Sequence, residues 1–347
     1  MSTTLRARSL APVVIGSSAI AIALIALAWQ PARPVCVIEP RAQCARADLS
    51  NLDLRQANLR GANLRGARLL GTDLESAQLE GVQLDGAQLI GVDLAQAQLR
   101  GASLRRALVR SSDLESADLS GSDLRDADLE GNDLESANLQ RSNLSGARLR
   151  GDDLESADLM ASQAVGADFS GGNLGRARLT WGRFDRARME AVNLSSARLD
   201  HTSLQGADLS RARLGQWIVF EPGKTIPPHF GTCSPIPSCA ATQLEQVSDD
   251  TGVGALLQDT NLDGANLSGA DLRGIVMLRG SLGRARLNQA QVDGARWLSV
   301  SFDRTVCPNG QRSSKPCTGF EVPTSGPALQ LALQRLDWLQ ALPWPRD

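Results

Sequence analysis

The chain has no tyrosine, and its 6 tryptophans and 6 phenylalanines bring the aromatic share to 3% of 347 residues. That is not the composition of an ordinary globular domain. Histidine is nearly absent too. His201 and His229 are the 2 present and no cysteines are spaced CxxC, which argues against a metal-spaced His/Cys cluster. There is no GxSxG, no P-loop and no GxGxxG ahead of a helix. His201 and Asp208 fall within one region but without a placed nucleophile, so they do not form a catalytic set. The chain reads as no enzyme, with no cofactor and no metal. Lysine is limited to Lys224 and Lys315, and the net charge is only −2, so no overall field argues for a nucleic-acid partner. What abounds instead is Gly, at 32 residues, with Leu, Ala, Asp and Arg recurring monotonously. Such bias calls for a repeat search before any fold reasoning.

Long hydrophobic runs are limited to one. Arg6 and Arg8 precede Leu10–Trp29, 20 residues without a charge. As a helix this run spans about 30 Å, the thickness of a hydrocarbon core. Positive charge before it orients that end to the cytoplasm and sends the rest across. The segment 1–31 is therefore read as an uncleaved single-pass signal anchor. Cleavage is the competing reading, because Ala26-Leu27-Ala28 resembles a small-x-small site. The bulk of the chain is expected outside the cytoplasm, in a bacterial periplasm or, in a cyanobacterium, the thylakoid lumen. Cysteine usage agrees. The 6 cysteines form three close pairs, Cys36 with Cys44, Cys233 with Cys239 and Cys307 with Cys317, which in an exported chain read as disulfides.

From Ala47 the chain reads in fives, "ADLSN LDLRQ ANLRG ANLRG", with a small residue first and Leu third. Third positions run from Leu49 to Leu214 and again from Leu257 to Phe302. A period of five matches neither the 3.6 of a helix nor the two of a strand, so the backbone must turn once per pentad. Tandem A(D/N)LxG units of this kind resemble the pentapeptide-repeat family. The resemblance implies an all-β fold, a right-handed quadrilateral β-helix in which four pentads make one square coil and residues 20 apart stack. The pentad "DLESA", which starts at Asp73, Asp113, Asp133 and Asp153, then recurs on one side of the coil. First and third residues point inward. Ala164, too small for a third position, lies 20 residues from Phe184, too large for one, and the pair conserves volume. About 11 rungs at roughly 4.8 Å give a rod about 50 Å long.

Open ends expose core and unpaired backbone and need caps. Cys44 and Cys307 occupy the next inward positions beyond the two ends, so Cys36–Cys44 and Cys307–Cys317 are expected to staple caps there. The domains are then the anchor 1–31, a flank 32–46, the repeats 47–214, a Pro/Gly-rich insertion 215–254 holding Cys233 and Cys239, a second repeat segment 255–306, and a cap 307–347. In the cap, Leu329, Leu333, Leu336 and Leu339 take helical spacing within 327–342. A lid helix over the last rung and a homodimer face are both open for it. The insertion is either functional or a tolerated loop.

Two surfaces are candidates for function. Stacking by 20 puts Asp53, Asp73, Asp93, Asp113, Asp133 and Asp153 in one ladder, with Glu75, Glu115, Glu135 and Glu155 beside it. Either the position favours a short polar side chain that bonds its own turn, or the ladder is an anionic docking face for a basic partner or a weak calcium site. A basic cluster follows at Arg176, Arg178, Arg183, Arg186, Arg188 and Arg198. Residues 101–170 carry net −7 and residues 171–214 net +4, which makes the rod bipolar. The expected function is an exported, membrane-tethered structural or protein-interaction rod with an unknown protein partner. The alternative that the resemblance brings is an acidic DNA mimic that binds a topoisomerase such as gyrase. Compartment separates the two, since topoisomerases are cytosolic.

Overall fold

The computed structural model describes residues 36–215 and 255–317. The Leu10–Trp29 run, the Cys233–Cys239 pair, His229 and the 327–342 segment lie outside the described residues. Among the described residues no helix is long and apolar enough to cross a membrane.

Each pentad makes one short extended stretch and one corner. Its central residue and the residue two before it are buried, while the flanking residues point out. The corner is a four-residue turn, closed for example by the Ala62 N–H donating to the Leu59 carbonyl at 3.0 Å. Its third residue takes positive φ, 63° at Gly61 and 56° at Ser116. Glycine is the frequent occupant because it meets no Cβ penalty there.

Four such corners bring the chain back above itself. Parallel bridges join residues 20 apart along the whole array, as in Asp53↔Asp73 and Asn58↔Gln78. The Leu54 N–H donates to the Asp73 carbonyl at 2.8 Å and the Asp73 N–H to the Leu52 carbonyl at 3.0 Å, so successive rungs satisfy each other's backbone. The sides are named here by their central residues: first (Leu49, Leu69), second (Leu54, Leu74), third (Leu59, Leu79) and fourth (Leu64, Leu84). Since a side offers only a few extended residues, regular strands are short. They are β1 (Gln88–Ile90), β2 (Leu108–Arg110), β3 (Leu256–Gln258), β4 (Val276–Leu278), β5 (Arg296–Leu298), β6 (Thr305–Val306) and β7 (Arg312–Ser313). Strands β1 and β2 pair in parallel, as do β3, β4 and β5, whereas β6 and β7 form an antiparallel closure.

The insertion interrupts the sequence but not the coil. Arg198 bridges Leu256 and Asp208 bridges Asn266 in the same parallel pattern, and the Ala255 N–H donates to the Leu214 carbonyl at 2.7 Å, the corner bond of any other pentad. Ala255 thus takes up the coil where Gly215 leaves it. The core is a continuous column of Leu and Ala from Ala42 to Phe302. Ala164 and Phe184 are both fully buried, as the volume argument requires. The Phe184 ring also lies 5.7 Å from that of Phe169, and a Cβ at Gly182 would stand 2.5 Å from its Cε2.

Both expected end staples are present. Cys36–Cys44 and Cys307–Cys317 are disulfides with sequence separations of 8 and 10, and Cys44 and Cys307 sit at the inward positions that continue the repeat. Replacing Cys307 and Cys317 by serine is expected to lower stability by about 2–3 kcal/mol on the chain-entropy argument. Chemical denaturation of oxidised protein and of the double variant measures it.

Candidate functional site

The six aspartates of the ladder form one column on the second side, continued by Asn173, Asn193 and Arg213. In Asp73, Asp93, Asp113, Asp133 and Asp153 the Oδ1 accepts the N–H two residues on, at 2.9–3.1 Å. The same bond recurs on the third side at Asp118 (3.0 Å) and in the column's own Asn173 (3.1 Å). The repeat therefore selects Asp or Asn here to bond the adjoining turn. That local role uses Oδ1 alone.

What distinguishes the second side is a stretch without cations, from Asp93 to Glu135. Elsewhere, acids are neutralised across rungs: Arg110 meets Asp128 at 2.6 Å and Arg148 meets it at 3.6 Å, Arg178 meets Asp158 at 2.9 Å, and Arg60 meets Glu80 at 2.8 Å. On the second side Arg55 pairs with Asp53 (2.9 Å) and Asp73 (3.3 Å) at the lower end. At the upper end Asn173 donates to Asp153 and Glu155 at 3.0 and 3.1 Å, and Arg176 comes within 3.9 Å of Glu155. Between them, Asp93, Asp113, Glu115, Asp133 and Glu135 form no ion pair among the described residues. The hydrogen bond from Arg55 holds Asp53 below the usual carboxylate range. Glu135 is pushed up, first by desolvation among its neighbours and then by the charges of Asp133, Glu115, Glu155 and Asp153. Asp73, Glu75 and Asp93 each place one oxygen within 4.8 Å of the others. Such an oxygen set suits a hard cation, but Arg55 already shares Asp73 and the group is open to solvent.

The basic cluster does not assemble into a patch. Arg178 and Arg198 stack on the third side, Arg183 lies on the fourth and Arg188 on the first, while Arg176 and Arg186 sit at two different corners. Arg178, Arg183, Arg188 and Arg198 pair with Asp158, Asp185, Asp168 and Asp200 at 2.9–3.7 Å. Residues close in sequence are turned to different sides because the chain bends every five residues.

Two features escaped the sequence reading. Trp181, 59% exposed, stacks on His201 with ring centroids 3.9 Å apart. The pair borders a shallow cleft of about 220 Å³ lined also by Thr180, Arg198, Asp200 and Gln258. His201 Nδ1 lies 3.6 Å from Asp259, whose carboxyl is held low by its hydrogen bonds with Arg279. Asp208, by contrast, stands on the first side. The 20-residue spacing of Trp181 and His201 was the available signal.

The second is Asp152, which occupies an inward position and is 1% exposed. Its Oδ1 accepts the Asn132 N–H at 2.8 Å, and its Oδ2 has no hydrogen-bond partner. Burial pushes its carboxyl up to about 8, the charges of Glu130 and Asp128 adding to the effect of desolvation. Other polar residues at this position donate to the carbonyl 23 residues back: Thr72 to Leu49 (3.0 Å), Ser112 to Leu89 (3.3 Å) and Asn132 to Val109 (2.9 Å). The same register leads from Asp152 to Leu129, and only the neutral acid can donate to a carbonyl. Asp at an inward position of the pentad was the sequence signal.

The model of the pentapeptide-repeat family finds eight copies in the chain, over residues 42–81, 77–115, 112–151, 173–211 and 253–277, together half of its length. The chain belongs to the pentapeptide-repeat family. Among solved structures, this pentapeptide-repeat protein is similar to HetL, involved in heterocyst differentiation regulation, from the cyanobacterium Nostoc sp. strain PCC 7120. Identity is 24% over 78% of this chain and 94% of that one, with a TM-score of 0.43. It is also similar to full-length QnrB1, a plasmid-mediated fluoroquinolone resistance protein, at 16% identity over 76% and 99%, TM-score 0.28. A pentapeptide repeat protein of the Arabidopsis thaliana thylakoid lumen is 23% identical over 28% and 71%, TM-score 0.17. No curated protein matches the sequence.

Proposed function

We propose that the chain is a non-enzymatic interaction rod, held at the outer side of a bacterial inner membrane by Leu10–Trp29, that presents the acidic strip of its second side to a basic surface on a protein partner. The observation that carries the reading is the run from Asp93 to Glu135, where stacked carboxylates meet no arginine among the described residues although the other sides pair most of theirs. Like charges one rung apart raise each other's energy in the free rod, and a basic partner relieves that repulsion. The two disulfides support an oxidising compartment. A regular solenoid offers no deep pocket of the kind small substrates need, which supports a surface role over catalysis.

The test has two arms. A C-terminal reporter active only outside the cytoplasm reads topology, and capture from solubilised envelope compares the intact chain with D113N/E115Q/D133N/E135Q. A partner that is retained by the intact chain, lost from the variant by at least tenfold, and weakened by salt supports the reading. Equal capture by both proteins sinks the acidic strip as the docking side. A cytoplasmic C-terminus overturns the tether and brings forward the topoisomerase-binding DNA mimic, for which purified gyrase is then the probe.

A further inference from the structure

We propose that an outward apolar strip on the third side, made by Leu256, Val276, Leu278 and Leu298, is the seat of the chain's own C-terminal segment 327–342, which lies along the flank of the last three rungs and not over their end.

The residues on either side of each central Leu point away from the core, and with few exceptions they are exposed or half-buried. Apart from glycines, the exceptions are Asp200, Leu256, Leu278 and Leu298, and all four stand on the third side toward the upper end of the coil. Leu256 and Leu278 are 6% exposed and Leu298 is 2% exposed. They form a hydrophobic cluster of their own, with Val276 against it, separate from the column of core residues. Lower on the same side the equivalent positions are polar: Asn58, Arg60, Gln98 and Arg100 are exposed. A buried apolar side chain at an outward position, on a repeat that otherwise places polar groups there, needs a cover.

The chain supplies one. It leaves the coil at Cys317, tied by the disulfide to Cys307 at the end of the rod, and 30 residues follow. Nine of them, 318–326, reach up to about 30 Å. Pro327 and Pro343 then bound a stretch in which Leu329, Leu333 and Leu336 share one helical stripe. Sixteen residues make a helix of about 24 Å, ample for a strip that covers two rung spacings, about 10 Å. A stripe of that kind must bury against another surface, and the strip is the apolar surface beside the chain's exit. The insertion fits less well, because it joins the coil at Gly215 and Ala255, beside the strip's lowest rung, whereas burial is deepest at Leu298 on its highest. The reading stands independently of the acidic strip and of the membrane tether.

Amide hydrogen exchange on the full, oxidised chain tests it. Amides of 327–342 are expected to be protected, and both Leu298→Asp on the strip and Leu333→Asp on the segment should cut that protection at least tenfold while protection in 47–214 is kept. The segment variant leaves the coil's own sequence untouched, so its result holds even where the strip variant unfolds the last rungs. Full protection of 327–342 in Leu333→Asp, or exposed amides there in the parent chain, overturns the proposal. Protection that rises with protein concentration, with a dimer in sedimentation, gives the strip to a second copy and overturns it as well. So does protection that survives Leu298→Asp in a chain whose upper rungs remain folded.

Discussion

Asp152→Asn is expected to stabilise the rod at pH 7 by on the order of 4 kcal/mol. The folded carboxyl titrates at about 8, against 3.8 for an ordinary aspartate, because it is buried. In the unfolded chain it ionises above pH 4, while in the fold it keeps its proton. The unfolded state therefore binds fewer protons than the native state between about 4 and 8, and stability falls as pH rises through that window. Asp152 contributes its full stability below the unfolded value and has lost it above the folded one. An asparagine does not titrate, and Asn132 one rung below shows that an amide fits, donating to Val109 at 2.9 Å. Urea unfolding of both proteins at pH 4, 6 and 8 measures the effect. The gap between them should be small at pH 4 and widen steadily with pH. A gap that does not change with pH would show that Asp152 is ionised in the fold.

The second large effect concerns Phe184 and Ala164. Phe184→Ala should cost about 3–5 kcal/mol, since a fully buried ring is lost in a close-packed column. Ala164→Leu alone should also destabilise, by about 1–3 kcal/mol, because the Phe184 ring has no room to move: it lies beside Phe169 and over Gly182. Joining Ala164→Leu to Phe184→Leu returns both rungs to the ordinary Leu of the repeat. The double variant is therefore expected to be more stable than the sum of its single changes implies, by about 1–3 kcal/mol. Strict additivity of the three unfolding free energies would refute the packing relation between the two positions.

Much of the fold could be read in the residues. Leucine every fifth position fixed the turn per pentad, and the DLESA recurrence fixed which residues stack. Cys44 and Cys307 continued the inward pattern beyond the regular pentads, so their staples were legible in the sequence. The candidate site was legible only in part. The acidic column followed from the register, but so did the turn-bonding role of each Asp, and the sequence could not choose between them. The arginine cluster was misleading, since proximity along the chain becomes separation around the coil when the backbone bends every five residues. The apolar strip at Leu256, Leu278 and Leu298 was passed over because each leucine looks like repeat background until its outward position is assigned.

The sequence by itself determined the coil: where the chain turns, which side chains enter the core and which residues meet at a separation of 20. These are local properties, set by sterics at the corner and by a small-then-Leu alternation that any pentad carries alone. Only the tertiary structure decided which charges are neutralised across rungs, because those partners sit 18 or 20 residues away, as Arg110 with Asp128 and Arg178 with Asp158. It also decided that Asp152 is neutral, through the dry surroundings and backbone groups that the stacked rungs supply. The same holds for the continuity of the coil across 40 intervening residues, where Ala255 bonds to Leu214. A backbone ladder joins whatever next rung offers matching N–H and C=O groups, however much chain lies between.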